Sequence, residues 1–150
     1  MIGTARFRWL WMGLVAPLLL CTGCGLKSDP IPPKIKLPAA VADMTVESLR
    51  EGILLAWSVD PLDKIGSFRL LRSEPVRGSD ACPGCPQTYL PLRAIPLTDA
   101  GLRSERGKKF YYIDWDVSSG FFYSYRIAAC DRSGRCGALS NEAGAIHAGK

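Results

Sequence analysis

From residue 41 onward, apolar and polar positions alternate over short stretches that are separated by turn residues. Ile53, Leu55 and Trp57 occupy alternate positions, and the same alternation runs through residues 123–129. Successive side chains of a strand point to opposite faces of a sheet, so this period of two predicts strands with one buried face. No stretch sustains a helical period. The pattern therefore predicts an all-β fold, a sandwich or a barrel.

Turn signals divide this region into seven predicted strands. The breaks fall at turn-forming pairs such as Glu51-Gly52, Asp60-Pro61 and Ser119-Gly120, whose residues favour the backbone angles of tight turns. The predicted strands cover residues 41–49, 53–59, 68–73, 89–97, 109–117, 122–130 and 137–146.

A different pattern precedes the domain. Residues 1–8 contain two arginines and no acidic residue, residues 9–20 form an apolar run, and Cys21-Thr22-Gly23-Cys24 follows. This order is typical of an export signal. The alternative is a transmembrane anchor, but spanning a bilayer takes ~20 apolar residues, and Pro17 would break a spanning helix.

The end of this signal resembles a bacterial lipobox, the pattern Leu-small-small-Cys. Thr22 and Gly23 are the small residues and Cys24 is the lipid acceptor, although Cys21 stands where the pattern has leucine. Cys21 fits less well as the acceptor because the bulky Leu20 would precede the cut. The resemblance implies that residues 1–23 are a signal peptide and that acyl chains such as palmitate on Cys24 hold the protein on a membrane. The residue after Cys24 is Gly25. By similarity to enterobacterial lipoproteins, this residue implies that the protein is located at the outer membrane and faces the periplasm.

Residues 24–40 are predicted to be a tether. Its four prolines, Pro30, Pro32, Pro33 and Pro38, fix φ and remove amide donors, which favours an extended, semi-rigid spacer. The opening Cys24-Gly25-Leu26-Lys27, followed by prolines, also resembles the start of small outer-membrane lipoproteins that assist the lipopolysaccharide transport translocon.

Residues 41–146 resemble fibronectin type III domains, which are immunoglobulin-like β-sandwiches. The resemblance begins at Pro38-x-x-Val41, continues in Leu55-Ala56-Trp57, and is strongest over residues 114–127, whose sequence DWDVSSGFFYSYRI matches the family stretch Asp-x-x-Leu-x-x-Gly-x-x-Tyr-x-Tyr-Arg-Val. It implies that Trp57 and Tyr125 are core residues and that Tyr123 is the corner tyrosine, whose hydroxyl bonds to the main chain. Residues 77–100 are longer and richer in proline and cysteine than the family pattern, and residues 147–150 are predicted to be a tail.

Four further cysteines follow Cys24, an even number in a chain predicted to be exported. Cys130 and Cys136 flank a predicted hairpin turn, and Cys82-Pro83-Gly84-Cys85 closes a tight ring. Exported proteins with paired cysteines favour disulfides, here Cys82–Cys85 and Cys130–Cys136. A four-thiolate zinc site, cross-pairing or a redox-active Cys82/Cys85 pair are the alternatives.

Charge and the remaining side chains exclude several classes of function. Without Arg6 and Arg8, the chain has 17 basic and 14 acidic residues. This net positive charge is too small to indicate a nucleic-acid-binding surface. His147 is the only histidine, so neither a catalytic triad nor a histidine-based metal site is expected. Asp114 and Asp116 flank Trp115 and are interpreted as structural rather than catalytic.

Two surface features remain open at this point. A basic loop contains Arg103, Arg106, Lys108 and Lys109 and is interpreted as solvated, with contact to lipid phosphates as the alternative. The aromatic side chains Trp115, Phe121 and Phe122 either seal the core or anchor a partner.

The sequence predicts a membrane-anchored, non-catalytic lipoprotein of the cell envelope, without a cofactor or metal. Its fibronectin type III-like module is expected to contact an envelope protein or a glycan. The alternative is an accessory factor for lipopolysaccharide transport assembly, acting through the lipidated N-terminal segment.

Overall fold

The computed structural model describes residues 36–82 and 85–149. Within these residues the structure is built from β-strands, and its helical elements are two three-residue 3₁₀ turns. No helix in the described ranges is long and apolar enough to cross a membrane. The strands are β1 (Thr45–Ser48), β2 (Ile53–Ser58), β3 (Ser67–Ser73), β4 (Val76–Arg77), β5 (Tyr89–Pro96), β6 (Arg103–Glu105), β7 (Lys109–Asp114), β8 (Phe121–Cys130) and β9 (Ala143–Ile146).

The strands form two antiparallel sheets. One has the order β1-β2-β7-β6; the other joins β4, β8, β3 and β5, with β9 also paired to β8. The buried side chains of both sheets form one core. The predicted all-β sandwich is confirmed.

The core follows the alternation that is visible in the sequence. Ile53, Leu55 and Trp57 are buried along β2, while the residues between them are partly exposed. Trp57 packs against Phe68 and Phe110, with ring centroids 5.1 and 6.2 Å apart. Each such side chain stabilises the fold by roughly 1.5–3 kcal/mol through burial.

The first predicted strand is shorter than expected because a side chain replaces part of its ladder. β1 covers Thr45–Ser48, not residues 41–49. The backbone N–H of Met44 donates to Asn141 Oδ1 (3.0 Å), and Asn141 Nδ2 donates to the Met44 carbonyl (2.8 Å). Asn141 therefore satisfies this backbone in place of a neighbouring strand.

The last part of the chain also differs from the expectation. β9 begins at Ala143 rather than at residue 137. Residues 147–149, predicted to be a tail, bond to the domain: His147 is buried, its carbonyl accepts from the Gly120 N–H, and the Ala148 N–H donates to Ser48 Oγ.

Two short strands were not predicted. β4 has two residues and pairs with β8, and β6 has three and pairs with β7. Segments this short contain too few positions for an alternation to be visible.

Candidate interaction surfaces

The strands define two ends of the sandwich with different chemistry. We call the end formed by residues 36–40, 59–66, 97–102, 106–108 and 131–136 the proximal end, because the described chain begins there. The distal end is formed by residues 49–52, 74–82, 85–88, 115–120 and 147–149. The proximal segments contain six basic and four acidic residues, and the distal segments contain two basic and four acidic residues.

A cavity of about 430 Å³ lies at the proximal end. The start of the described chain, the last residue of β2 and the loop that follows β2 line this cavity. Its walls are mainly apolar and two lysines line it; the residues are Lys36, Leu37, Pro38, Ala39, Ala40, Ser58, Val59, Asp60, Pro61, Lys64 and Ile65.

Gly137, just after the hairpin turn at residues 131–136, allows residues 36–40 to approach the domain closely. A Cβ atom at Gly137 would overlap the carbonyl oxygen of Pro38, and that oxygen belongs to rigid backbone. Any larger residue at position 137 would therefore push residues 36–40 away from the domain.

Asp131 organises the proximal hairpin turn. Its carboxylate accepts hydrogen bonds from the N–H of Ser133 (2.9 Å) and of Arg135 (3.0 Å), and from Arg135 Nε (2.9 Å). Hydrogen bonds from Ser133, followed by those from Arg135, lower the pKa of Asp131 well below its usual range. The turn is therefore fixed in shape, and the charge of Arg135 is neutralised by Asp131.

Some proximal cations form ion pairs with carboxylates of the described residues, and others do not. Lys108 pairs with Asp60, and Arg135 pairs with Asp131. Lys36, Lys64, Arg106 and Arg132 are exposed and, within the described residues, no carboxylate lies at ion-pair distance from them.

The distal end is closed by an ion pair between the two sheets. Arg72 of β3 donates through Nη1 to Asp114 Oδ2 of β7 at 2.8 Å, and the hydroxyl of Tyr125 donates to the same oxygen at 2.9 Å. The N–H of Asp116 donates a hydrogen bond to the other oxygen of Asp114, Oδ1, at 3.1 Å. Since the Asp114 side chain is only 5% exposed, these contacts satisfy a buried charge.

The ion pair changes the titration of its neighbours. Burial raises the pKa of Tyr125, and the negative charge of Asp114 raises it further. Burial alone would lower the pKa of Arg72, but hydrogen bonding and charge from Asp114 raise it overall.

Tyr123 fixes the loop that follows β7. Its hydroxyl accepts a hydrogen bond from the N–H of Ser118 at 2.8 Å, the geometry of a tyrosine corner. Its ring lies 5.4 Å from the guanidinium of Arg72, and Val117 packs against the core beside it. The loop is therefore held at both its ends.

Trp115 lies on this fixed loop with 60% of its surface exposed. Phe121 and Phe122 are only partly exposed, and Phe121 packs against the core. Of the three aromatic residues left open by the sequence, Trp115 is the one presented to solvent.

Asp114 and Asp116 do not form a pair of available carboxylates. Asp114 is buried and fully bonded, whereas the side chain of Asp116 is 90% exposed. Arg72 contacts both through separate nitrogens, at 2.8 and 3.2 Å. The arrangement orders the distal end and leaves Asp114 without a free oxygen for acid–base chemistry.

Both predicted disulfides are present. Cα atoms lie 5.4 Å apart in Cys82–Cys85 and 3.8 Å apart in Cys130–Cys136. Cys82 is exposed and Cys130 is buried. All four sulfurs are thus bonded in pairs, so none is a thiolate ligand of the alternative zinc site.

The prediction of a basic loop around residues 103–109 is wrong for most of its length. Arg103 belongs to β6 and Lys109 begins β7, because the two segments pair as a hairpin. Lys109 lies 5.5 Å from the ring of Tyr111 on the outer face of the sheet. Only residues 106–108 remain as a turn at the proximal end.

Sequence reasoning missed Arg72, the partner of Asp114. The signal was present, since Arg72 continues the inward positions Phe68 and Leu70 of β3. A charged residue at an inward position requires a buried partner of opposite charge. Cys24 and the rest of residues 1–35 lie outside the described residues.

One comparison with a solved structure, at a TM-score above 0.5, supports the fold. The twitchin kinase region from C. elegans, described as Fn31-NL-kin-CRD-Ig26, aligns over 77% of this chain with 16% identity and a TM-score of 0.52. This chain spans 17% of that protein. An Fn3-like protein from Clostridium thermocellum aligns over 77% of this chain and 97% of its own length, with 20% identity and a TM-score of 0.48.

The domain therefore has a fibronectin type III-like fold. No protein-family model matches the sequence, and no curated protein matches it. Because solved structures at these identities share the fold alone, the function has to be argued from the surfaces of this chain.

Proposed function

We propose that this protein is a lipid-anchored, non-catalytic module of the cell envelope, whose distal end contacts another envelope protein or a glycan. The anchor is Cys24, at the end of an export signal that resembles a lipobox. Two or three acyl chains would hold the protein firmly on a membrane, since each buried methylene contributes ~0.8 kcal/mol.

The predicted tether sets the distance between domain and membrane. The 13 residues from Cys24 to Lys36 span roughly 37 Å if the chain rises by ~3.1 Å per residue, as in a polyproline-like segment. The described chain begins at the proximal end, so that end stays within a few nanometres of the bilayer. The distal end is then free to meet a partner.

The exposure of Trp115 carries the proposal. Trp115 leaves 60% of its surface in contact with water. A partner that covered this apolar surface would gain free energy of binding from its burial. Tyr123 and Arg72 fix the adjoining loop. Binding of a partner would therefore lose little conformational entropy in ordering this loop. Rigid exposed tryptophans are frequent binding hot spots.

The non-catalytic reading rests on how the reactive side chains are used. Asp114 is bonded to Arg72 and Tyr125, and His147 is buried beside Ser48, with 3.4 Å between its Nδ1 and Ser48 Oγ. Nothing in the described part of the chain combines three or more metal-ligating side chains. The use of Asp114 and His147 in contacts within the fold supports the non-catalytic proposal.

The anchor is tested by metabolic labelling with a palmitate analogue and by the intact mass of the membrane-extracted protein. We expect a chain that begins at Cys24 and carries lipid. Cys24→Ala should abolish the label and Cys21→Ala should retain it once export is complete. A label that persists in Cys24→Ala and disappears in Cys21→Ala contradicts the assignment.

The contact surface is tested by cross-linking in intact cells. Trp115→Ala should lose most cross-linked species, and Leu139→Ala, which removes an apolar residue that is 41% exposed, should retain them. Equal loss in both variants, or in neither, contradicts a contact through Trp115.

The accessory-factor alternative is favoured by the opening Cys24-Gly25-Leu26-Lys27 and its prolines. Deleting residues 41–150 while keeping the lipidated segment separates the two functions. An accessory factor for lipopolysaccharide transport survives this deletion, and an interaction module acting through Trp115 does not.

A further inference from the structure

We infer that the proximal end is a docking surface for anionic phospholipid headgroups. This inference deepens the proposed function and rests on its lipid anchor at Cys24. It concerns a surface that the anchor alone does not require, since acyl chains hold a protein on neutral and anionic membranes alike.

Cations from three separate segments meet at this surface, and no carboxylate of the described residues lies at ion-pair distance from them. Lys36 comes from the end of the predicted tether, Lys64 from the 3₁₀ turn before β3, and Arg132 from the hairpin turn after β8. Together with Arg135 they line a shallow groove, which also contains Asp63 and Asp131.

The acidic residues of the groove leave a positive excess. Asp131 is neutralised by Arg135, at 2.8 Å, and among the described residues Asp63 is the one further carboxylate that lines the groove. Lys36, Lys64 and Arg132 outnumber it. Headgroup phosphates attract such cations, and a phosphate accepts hydrogen bonds from lysine and arginine alike.

The groove continues into the apolar cavity. Lys36, Pro38 and Lys64 line both, while Leu37, Val59 and Ile65 add apolar walls to the cavity. A phospholipid presents a phosphate next to apolar chains. The arrangement places cations where the phosphate would lie and apolar walls where the glycerol and the first methylenes would lie.

The predicted anchor brings this surface to its ligand. The chain from Cys24 to Lys36 ends at the groove itself, so the headgroups surround the surface at high effective concentration. The distal segments have the opposite charge balance, four acidic and two basic residues, and would be repelled by the same headgroups.

The experiment uses the lipidated protein in two kinds of vesicle, pure phosphatidylcholine and phosphatidylcholine with phosphatidylglycerol. Flotation is measured first, and then the rate of trypsin cleavage after Arg132 and after Arg50, which lies at the distal end. We expect cleavage after Arg132 to slow about fivefold for each lysine held at the anionic surface. Cleavage after Arg50 should not change, and high salt should remove the difference.

Matched variants identify the surface. Protection at Arg132 should be lost in the double variant Lys36→Ala/Lys64→Ala. It should persist in Arg103→Ala/Lys109→Ala, which removes two exposed cations from the outer face of the first sheet. Loss in both variants, or in neither, overturns the assignment to the groove.

The outcomes separate the docking surface from the anchor. Flotation with both vesicles and equal cleavage after Arg132 supports the anchor and overturns docking. Flotation only with anionic vesicles overturns the anchor and supports docking, and flotation with neither overturns both. Protection of Arg132 on neutral vesicles by inorganic phosphate alone would show an ion site and overturn the lipid surface.

Discussion

The two ends of the sandwich are closed in different ways. At the distal end, the buried pair Arg72–Asp114 joins the sheets, and Tyr123 and Tyr125 surround it. At the proximal end, the aromatic side chains of Trp57, Phe68 and Phe110 fill the core and the charged residues remain outside.

This difference separates stability from recognition. At the proximal end, exposed lysines and arginines can meet a ligand without disturbing the core, because no described contact ties Lys36, Lys64 or Arg132 to a carboxylate. At the distal end the buried pair Arg72–Asp114 is committed to the fold, and the exposed indole of Trp115 is available to a partner.

The largest effect is expected at the proximal core. Trp57→Ala should lower the free energy of unfolding by ~3–5 kcal/mol, because a side chain that is 1% exposed would leave a cavity. Urea unfolding measures it. A loss below about 1 kcal/mol, in the range of a typical surface or tolerated change, contradicts the central place of Trp57.

A somewhat smaller loss is expected at the distal end. Asp114→Ala should cost about 3 kcal/mol, since it leaves the guanidinium of Arg72 without its buried partner. Asp116→Ala is the control: its side chain is exposed, so it should change stability by less than about 0.5 kcal/mol. Equal effects of the two substitutions would show that the distal end is not closed by Asp114.

The disulfides should contribute less. Replacing both Cys130 and Cys136 by alanine should cost about 2 kcal/mol, below the ~3 kcal/mol of a 15-residue loop, because few residues separate them. Replacing Cys82 and Cys85, which close a still shorter loop, should cost less again. Non-reducing peptide mapping checks the pairing, and a linkage between the two pairs would contradict it.

The smallest of these losses concerns one hydroxyl. Tyr123→Phe should cost about 1 kcal/mol, because the N–H of Ser118 loses its acceptor. Tyr111→Phe serves as the control, since the Tyr111 hydroxyl bonds to the exposed Glu105. If both variants are neutral, the loop that carries Trp115 is not held by Tyr123.

The parts of the fold that follow local rules could be predicted from the sequence. The inward faces of β2 and β8 follow their alternation, and the stretch around Tyr123 carries the corner motif within a few residues. Long-range contacts could not be predicted in this way. The support of Met44 by Asn141 joins residues 97 positions apart, and no local pattern encodes such a pair.

The candidate surfaces show the same limit. Trp115 was visible as a candidate aromatic residue, but its exposure depends on how the loop folds over Arg72 and Tyr123. The groove at Lys36, Lys64 and Arg132 combines three segments that are distant in sequence. The one basic stretch that the sequence does show, residues 103–109, is instead divided between β6, a turn and β7.

The most direct test of the different roles of the two ends is the environment of Trp115 in the lipidated protein on anionic vesicles. Subtracting the fluorescence of Trp115→Phe from that of the wild type isolates this residue from the buried Trp57. We predict that acrylamide quenches Trp115 as readily on vesicles as in detergent and that brominated phospholipids leave it unquenched. Shielding of Trp115 from acrylamide together with quenching by brominated phospholipids would contradict the account, because the distal end would then face the membrane.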